Sequence, residues 1–243
     1  MRFYVSPDSI FPDKNIIDIR DRREIHHIRD VMRLEKGAVV NIFDGKGREF
    51  TGVIESISKI SVVIEIESEK PLKSDTVFSS TLYQAIPKKD KMELIIEKAV
   101  ELGVENIVPI VTERTVPDIK DKANKLIERW SKIAMASSKQ CGRVNLPAVS
   151  GIADFNKALE EAKKSSLVIF AALDKEARPL KSILKGAPHK DISIFIGPEG
   201  DFSPQEVKMA KENGFKICSL GQLVLKSDTA GIYVLACLNY ELR

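Results

Sequence analysis

The chain is poor in the residues that build cross-links and metal sites. Its 243 residues include three cysteines, Cys141, Cys218 and Cys237, and three histidines. An odd number of cysteines, widely spread and without ligand spacing, argues against a disulfide framework or a zinc site. They read instead as small core fillers. His26 and His27 are neighbours, so on a regular element they point in different directions, and no third ligand is in view. No metal is expected. Aromatic residues make up 6 % of the chain, with one tryptophan. That residue, Trp130, shares a helical stretch with Leu126, Ile127 and Ile133 and reads as core rather than as a base-stacking platform. No apolar run reaches the ~18 residues of a membrane span. No signal-peptide pattern opens the chain. A cytoplasmic protein without a membrane partner is expected. Charge of one sign is lacking too: 38 basic residues face 35 acidic ones, for a net charge of +3. This balance neither demands nor excludes RNA, because a polyanion needs a local basic face rather than a high total. Finally, no Gly-x-Gly-x-x-Gly follows the first strand and no acidic residue is placed for a ribose, which counts against a nucleotide-dependent oxidoreductase.

What is present is concentrated in two glycine turns. Ile194-Phe195-Ile196 reads as a buried strand, followed by Gly197-Pro198-Glu199-Gly200. Gly197 and Gly200 are expected at positive φ, allowing close approach of a ligand, with Pro198 stiffening the turn between them. Ser203, Pro204 and Glu206 then form a capping-box signature for a following helix. A strand, a glycine turn and a helix in succession mark the place where open α/β sheets bind ligands. The second turn follows the strand pattern of residues 215–220, which Gly221 breaks. Ser227-Asp228-Thr229 supplies N-cap chemistry for a last helix, Ala230 to about Glu241. That helix is apolar nearly all round, which predicts burial.

Two grammars divide the chain. Residues 1–72 read as short strands, including Val39 to Phe43, Glu49 to Ile57 and Ser61 to Glu67. Asp44-Gly45-Lys46-Gly47 is a hairpin signal between the first two. Such a run suggests a small β-barrel. Residues 73–243 alternate strands and helices, which predicts an α/β domain with a mainly parallel sheet.

These segments resemble the RsmE family of SPOUT-class (α/β-knot) methyltransferases. The resemblance rests on Ile196-Gly197-Pro198-Glu199-Gly200 and on Leu220-Gly221 through Leu225-Lys226-Ser227-Asp228-Thr229-Ala230. It extends over nearly the whole chain. Arg2-Phe3-Tyr4-Val5, residues 26–34, Phe43-Asp44-Gly45, residues 91–104, Thr112-Glu113-Arg114 and Gln140-Cys141-Gly142-Arg143 are similar to further family segments. The resemblance implies an N-terminal PUA-like, RNA-binding barrel and a C-terminal SPOUT domain ending in a trefoil knot. It implies a homodimer, S-adenosyl-L-methionine as methyl donor, and methylation of N3 of a uridine in 16S (small-subunit) ribosomal RNA. The partner is that RNA or the assembled small ribosomal subunit. The chain departs from the family pattern at Leu223 and Lys226, where arginines are usual, at Asp228, where glutamate is usual, and at Lys139, where glutamate is again usual.

Donor binding is expected in the turns at Gly197, Pro198, Glu199, Gly200, Leu220, Gly221 and Leu225, with Thr229 and Ala230 opening the helix behind them. The family pattern adds Leu173 as a third wall. A sulfonium donor is already activated, so the protein supplies position and electrostatics. Uridine N3 carries a proton at neutral pH, so transfer needs a base or cations that stabilise the anion. Arg114, Arg143 and Asp228 are the catalytic candidates, with Lys226 and Glu199 nearby. Lys88, Lys89 and Lys91 precede a helix where ammonium groups could meet phosphates, though they suit a solvated loop equally well. Arg2, Arg29 and Arg33 could meet RNA from the barrel. A reading of another class is a non-catalytic RNA-binding or ribosome-assembly protein that kept the fold. The departures at Leu223 and Lys226 favour it; the two intact glycine turns favour the enzyme.

Overall fold

The computed structural model describes residues 1–71, 78–117, 119, 122–185 and 190–242. They divide into two compact units: Met1–Asp75 with Ser138–Leu146, and Thr76–Ser137 with Pro147–Arg243. The expected boundary between Leu72 and Lys73, and the expected start of the next strand at Val77, lie outside the described residues. The return of residues 138–146 to the first unit has no counterpart in the sequence reading.

The first unit contains β1 (Arg2–Tyr4), β2 (Ile10–Phe11), β3 (Ile16–Ile19), α1 (Arg22–His26), β4 (Val39–Phe43), β5 (Arg48–Ile57) and β6 (Val62–Pro71). They form one six-stranded sheet in the order β1-β4-β5-β6-β3-β2. β1 runs parallel to β4; the other pairs are antiparallel. Alternate residues point inward, as the pleat requires. Phe3 from one edge strand and Ile10 from the other enter the same core as Val40, Ile42, Phe50, Ile54 and Ile64. A sheet whose two edges share one core curls around it into a barrel-like form. The hairpin at Asp44 is built as its sequence suggests. Its Oδ1 accepts from Lys46 N and Arg48 N at 2.7 and 3.1 Å. Gly45 and Gly47 take φ of 73° and 101°, conformations that favour glycine. Residues 138–146 are tied in by Arg2 Nη1 donating to Ser138 O, by Leu146 N donating to Gly45 O, and by a Lys139–Glu24 ion pair.

The second unit contains β7 (Ser79–Ala85), α2 (Lys91–Glu101), β8 (Asn106–Val111), α3 (Ala123–Cys141, its last turn in the first unit), β9 (Ala148–Val149), β10 (Ala153–Asp154) and α4 (Phe155–Ala162). It continues with β11 (Leu167–Ala171), β12 (Arg178–Pro179), α5 (Leu180–Leu184), β13 (Asp191–Ile196), α6 (Pro204–Glu212), β14 (Lys216–Ser219) and α7 (Ser227–Leu242). The sheet order is β10-β8-β7-β13-β11-β14-β12, with β9 also on β8, and each pairing is parallel. Both faces are covered, which explains the near-continuous apolar strands. Ile169, Ile192, Ile194, Leu82 and Trp130 join one core with α2 and α7; Phe170, Phe195, Tyr83 and Phe155 join the other with α4 and α6. Trp130 is therefore core, as its helical neighbours suggest.

Two expectations fail. α7 is not buried all round: Ala230, Val234, Leu235 and Leu238 face the core, while Tyr233 and Tyr240 are 42 % and 90 % exposed. Composition shows that a helix can be buried, not which of its faces the rest of the chain covers. Nor are all three cysteines core fillers: Cys218 is buried, Cys237 half-buried and Cys141 exposed.

Candidate active site

The parallel strands β11, β13 and β14 end on the same edge of the sheet, and the loops after them enclose a pocket of about 330 Å³. Ala172, Leu173 and Asp174 follow β11; Gly197, Pro198, Glu199 and Asp201 follow β13; Leu220 through Ser227 follow β14, with Ala230 at the base of α7. Of the expected donor-binding residues, the pocket takes in Leu173, Gly197, Pro198, Glu199, Leu220, Gly221, Leu225 and Ala230. Gly200 and Thr229 are outside the lining. Gly200 turns toward Arg114 instead, and Thr229 is exposed on α7.

The glycines serve different purposes from those expected. Neither Gly197 nor Gly200 has positive φ. Gly197 is needed for space: a Cβ there would come within 3.2 Å of both Phe202 N and Phe202 Cδ2. The left-handed residue of this turn is Asp201, at φ 60°. Its carboxylate accepts from Phe202 N and, across to the neighbouring loop, from Leu173 N, each at 2.8 Å. Asp201 thus joins two walls of the pocket. Sequence reading passed over it, although an aspartate just after a turn glycine is a common local acceptor. Gly221 does have positive φ, 128°, and open space around the position of a Cβ. Ser203 and Glu206 form the complete capping box at the start of α6. Glu206 Oε1 also accepts from Glu113 N at 2.9 Å, which fixes the loop after β8 beside the turn.

Ser227 does not cap its helix with its side chain; its hydroxyl donates to Gly197 O at 2.6 Å. Cys218 also borders the pocket, and burial pushes its thiol up to about 12, with Cys237 adding to the effect. It is a neutral thiol at physiological pH, not a nucleophile.

The charged candidates divide between the units. Asp228 and Lys91 are brought together with Glu199 in the second. Lys91 Nζ lies 3.6 Å from Glu199 Oε1 and 3.8 Å from Asp228 Oδ1. Asp228 Oδ1 is enclosed and has no hydrogen-bond partner, because 3.8 Å is an ion-pair distance only. Lys88 meets the same carboxylate through its backbone, Lys88 N to Glu199 Oε1 at 3.1 Å. Glu199 therefore ties the loop before α2 to the turn, rather than bracing its own turn. Lys89, at φ 60°, and Lys226 are exposed. Arg114 spends one nitrogen on Gly200 O at 2.7 Å and Phe202 O at 3.4 Å. It borders a second hollow with Gly200, Lys208 and Lys211, separated from the pocket by Leu173, Asp174 and Asp201.

Arg143 belongs to the first unit and outside the pocket lining. In that unit Arg2 is largely enclosed. It pairs with Glu49 at 2.9 Å, donates to Ser138 O and covers the Phe43 ring, so it is a packing residue and not an exposed phosphate ligand. Arg29 is paired with Asp30, which also meets His26 Nδ1 at 2.7 Å; Arg33 is exposed at φ 51°.

Comparison with known proteins places both units. The family description "RNA methyltransferase domain" matches residues 74–239, and "RNA methyltransferase PUA domain" matches residues 19–67. The chain is similar to the ribosomal RNA small subunit methyltransferase E of Bacillus subtilis, 31 % identical over 90 % of this chain and 88 % of that one. It is 29 % identical to the protein of that name from Rickettsia conorii, over 97 % and 93 % of the two chains. Among solved structures, the ribosomal RNA small subunit methyltransferase E of Neisseria gonorrhoeae, bound to S-adenosyl methionine, superposes with a TM-score of 0.85 at 28 % identity. The match covers 98 % of this chain and 96 % of that one.

Proposed function

Because this chain belongs to the ribosomal RNA small subunit methyltransferase E family, we propose that it methylates N3 of a uridine in 16S ribosomal RNA. It is an S-adenosylmethionine-dependent methyltransferase. The observation that carries this reading is the three-loop pocket at the strand ends of a chain that matches the family in both units.

The pocket suits the donor. Its volume, about 330 Å³, falls within the roughly 300–1,000 Å³ of small-molecule sites. Its walls combine apolar side chains and turn backbone, suited to an adenine and ribose, with the carboxylates of Asp174, Glu199 and Asp201, suited to a cationic ligand. Leu173, Gly197, Pro198, Glu199, Leu220, Gly221, Leu225 and Ala230 would hold it. When bound, S-adenosylmethionine supplies an electrophilic methyl group. The chain must then free uridine N3 of its proton and steady the resulting anion. Asp228 is the proton acceptor in this reading, with Lys91 beside it to balance charge. Arg114 has donors beyond the nitrogen spent on the turn and can steady an anion. Arg143, Arg29 and Arg33 serve RNA phosphates from the PUA-like unit, and Lys88, Lys89 and Lys226 serve them from the pocket side.

The exposed apolar face of α7 supports a homodimer. Kinship supports the C-terminal trefoil knot and a cytoplasmic site of action on the ribosomal RNA. The complete pocket weighs against a non-catalytic RNA binder, which has no use for three converging loops.

The test is incubation with radiolabelled S-adenosylmethionine and small ribosomal subunits from a strain lacking its own enzyme, followed by digestion to nucleosides. Label is expected in 3-methyluridine. Donor binding without labelled RNA would move the substrate elsewhere, and neither binding nor label would favour the RNA binder.

A further inference from the structure

A fully buried amide lies behind the pocket without touching it. Gln84 is 0 % exposed on β7, between β8 and β13 in the middle of the sheet. Its side chain points to the α7 face, where Leu82 and Ile196 are core neighbours. An amide in such surroundings is costly unless it is hydrogen-bonded. Gln84 Nε2 donates to Ala85 O at 3.1 Å and to Ser227 Oγ at 2.9 Å. Its Oε1 has no partner, and it sits 3.1 Å from where a Cβ on Gly231 would lie.

The direction of these bonds is determined. Turning the amide over would set its oxygen against the Ala85 carbonyl, acceptor against acceptor, so the nitrogen must face this way. Ser227 Oγ therefore accepts a hydrogen bond from Gln84 Nε2. Its own single proton goes to Gly197 O at 2.6 Å. Gly197 belongs to the turn after β13, and Ser227 ends the loop after β14. The relay from Gln84 through Ser227 to Gly197 thus locks two of the three pocket walls to the centre of the sheet. Gly231 leaves room for it.

We propose that Gln84 is a positioning residue for the methyl donor. It sets the Ser227 hydroxyl, which holds the two donor-binding loops at their working separation. The inference rests on the methyltransferase reading of this pocket. The net worth of such a bond corresponds to a factor of about ten, and the proposal places that loss on donor binding.

The experiment compares S-adenosylmethionine binding by calorimetry, and KM and kcat on small ribosomal subunits, for the full-length protein and its Gln84→Met, Ser227→Ala and double variants. Gln84→Met keeps the side-chain length and removes the donor. Ser227→Ala removes one hydroxyl and should fold whatever becomes of the first. Each single variant is expected to raise the donor Kd and KM about tenfold with kcat at saturating donor within about twofold, and the double variant to be no worse than either. Ser227→Thr, which restores a hydroxyl, should recover most of the affinity. Donor affinity unchanged in Gln84→Met, or additive losses in the double variant, would overturn the positioning role. If Gln84→Met does not fold, unchanged affinity in Ser227→Ala overturns it equally. A wild-type protein that fails to bind the donor would overturn the underlying methyltransferase reading, an outcome separate from variants that bind as well as wild type.

Discussion

Residues in the pocket act through backbone shape more than through side-chain chemistry, and glycine 221 is the clearest case. Its φ of 128° is one that L side chains rarely adopt. Nothing lies within 4 Å of a Cβ there, so a larger residue strains the loop rather than colliding with a neighbour. Such strain is worth about 1–3 kcal/mol, and it falls on the wall that Gly221 shares with Leu220. Gly221→Val is expected to weaken donor binding at least tenfold, by calorimetry, in a protein that still unfolds cooperatively. Unchanged affinity would show that the loop adapts and that the pocket lies elsewhere. The positions of the turn glycines were legible in the sequence; their reasons were only half legible. Gly197 gives way to the Phe202 ring and backbone, contacts made by the chain folding back within its own turn. Asp201 takes the left-handed conformation instead. Glycine patterns mark where a backbone is unusual, but packing decides which residue is unusual and why. The partners of Lys91 were hidden for a related reason. Lys91, Glu199 and Asp228 are far apart in sequence and meet only because α2, the turn after β13 and α7 converge.

Helix α6 shows the opposite case, an element whose start is written locally. Ser203, Pro204 and Glu206 suffice to predict it, and the reciprocal bonds are both present: Ser203 N to Glu206 Oε2 at 2.8 Å and Glu206 N to Ser203 Oγ at 3.3 Å. What the sequence does not reveal is the third bond, from Glu113 N to the same carboxylate. The cap therefore stabilises both the helix and the loop that carries Arg114. Ser203→Ala should cost about 1 kcal/mol, the usual value of a lost N-cap. Glu206→Ala should cost more, since it frees two backbone donors, Ser203 N and Glu113 N, one of them buried. Chemical denaturation of the two variants tests the order, and a Ser203→Ala loss equal to or larger than that of Glu206→Ala would show that the Glu113 contact contributes nothing. Helix α7 was misread because its evidence is not local. Apolar residues all round predict partners all round, and the chain itself supplies them on one side only.

At the scale of the molecule, the change of grammar along the chain announced two units, and the alternation of short apolar strands with helices announced a parallel sheet covered on both faces. Strand order was beyond reach, since it depends on which crossovers the chain takes, and so was the return of residues 138–146 to the first unit. The remaining whole-molecule question is what covers α7. Tyr233 and Tyr240 are exposed on it, and Leu223 and Val224, at the rim of the pocket, are more than 70 % exposed. Apolar exposure gathered on a terminal helix and at a ligand pocket is the kind of surface that a second copy buries. A homodimer built on α7 would then be coupled to the donor pocket, because α7 begins with Ser227 and Ala230, which line it. Sedimentation is expected to show a dimer for the wild-type chain. Tyr233→Asp with Tyr240→Asp places two carboxylates in the interface and should give monomers, with methylation of ribosomal subunits reduced more than tenfold and the fold retained. Monomers with full activity would detach the site from the interface, and a dimer that survives both carboxylates would place the contact on another face.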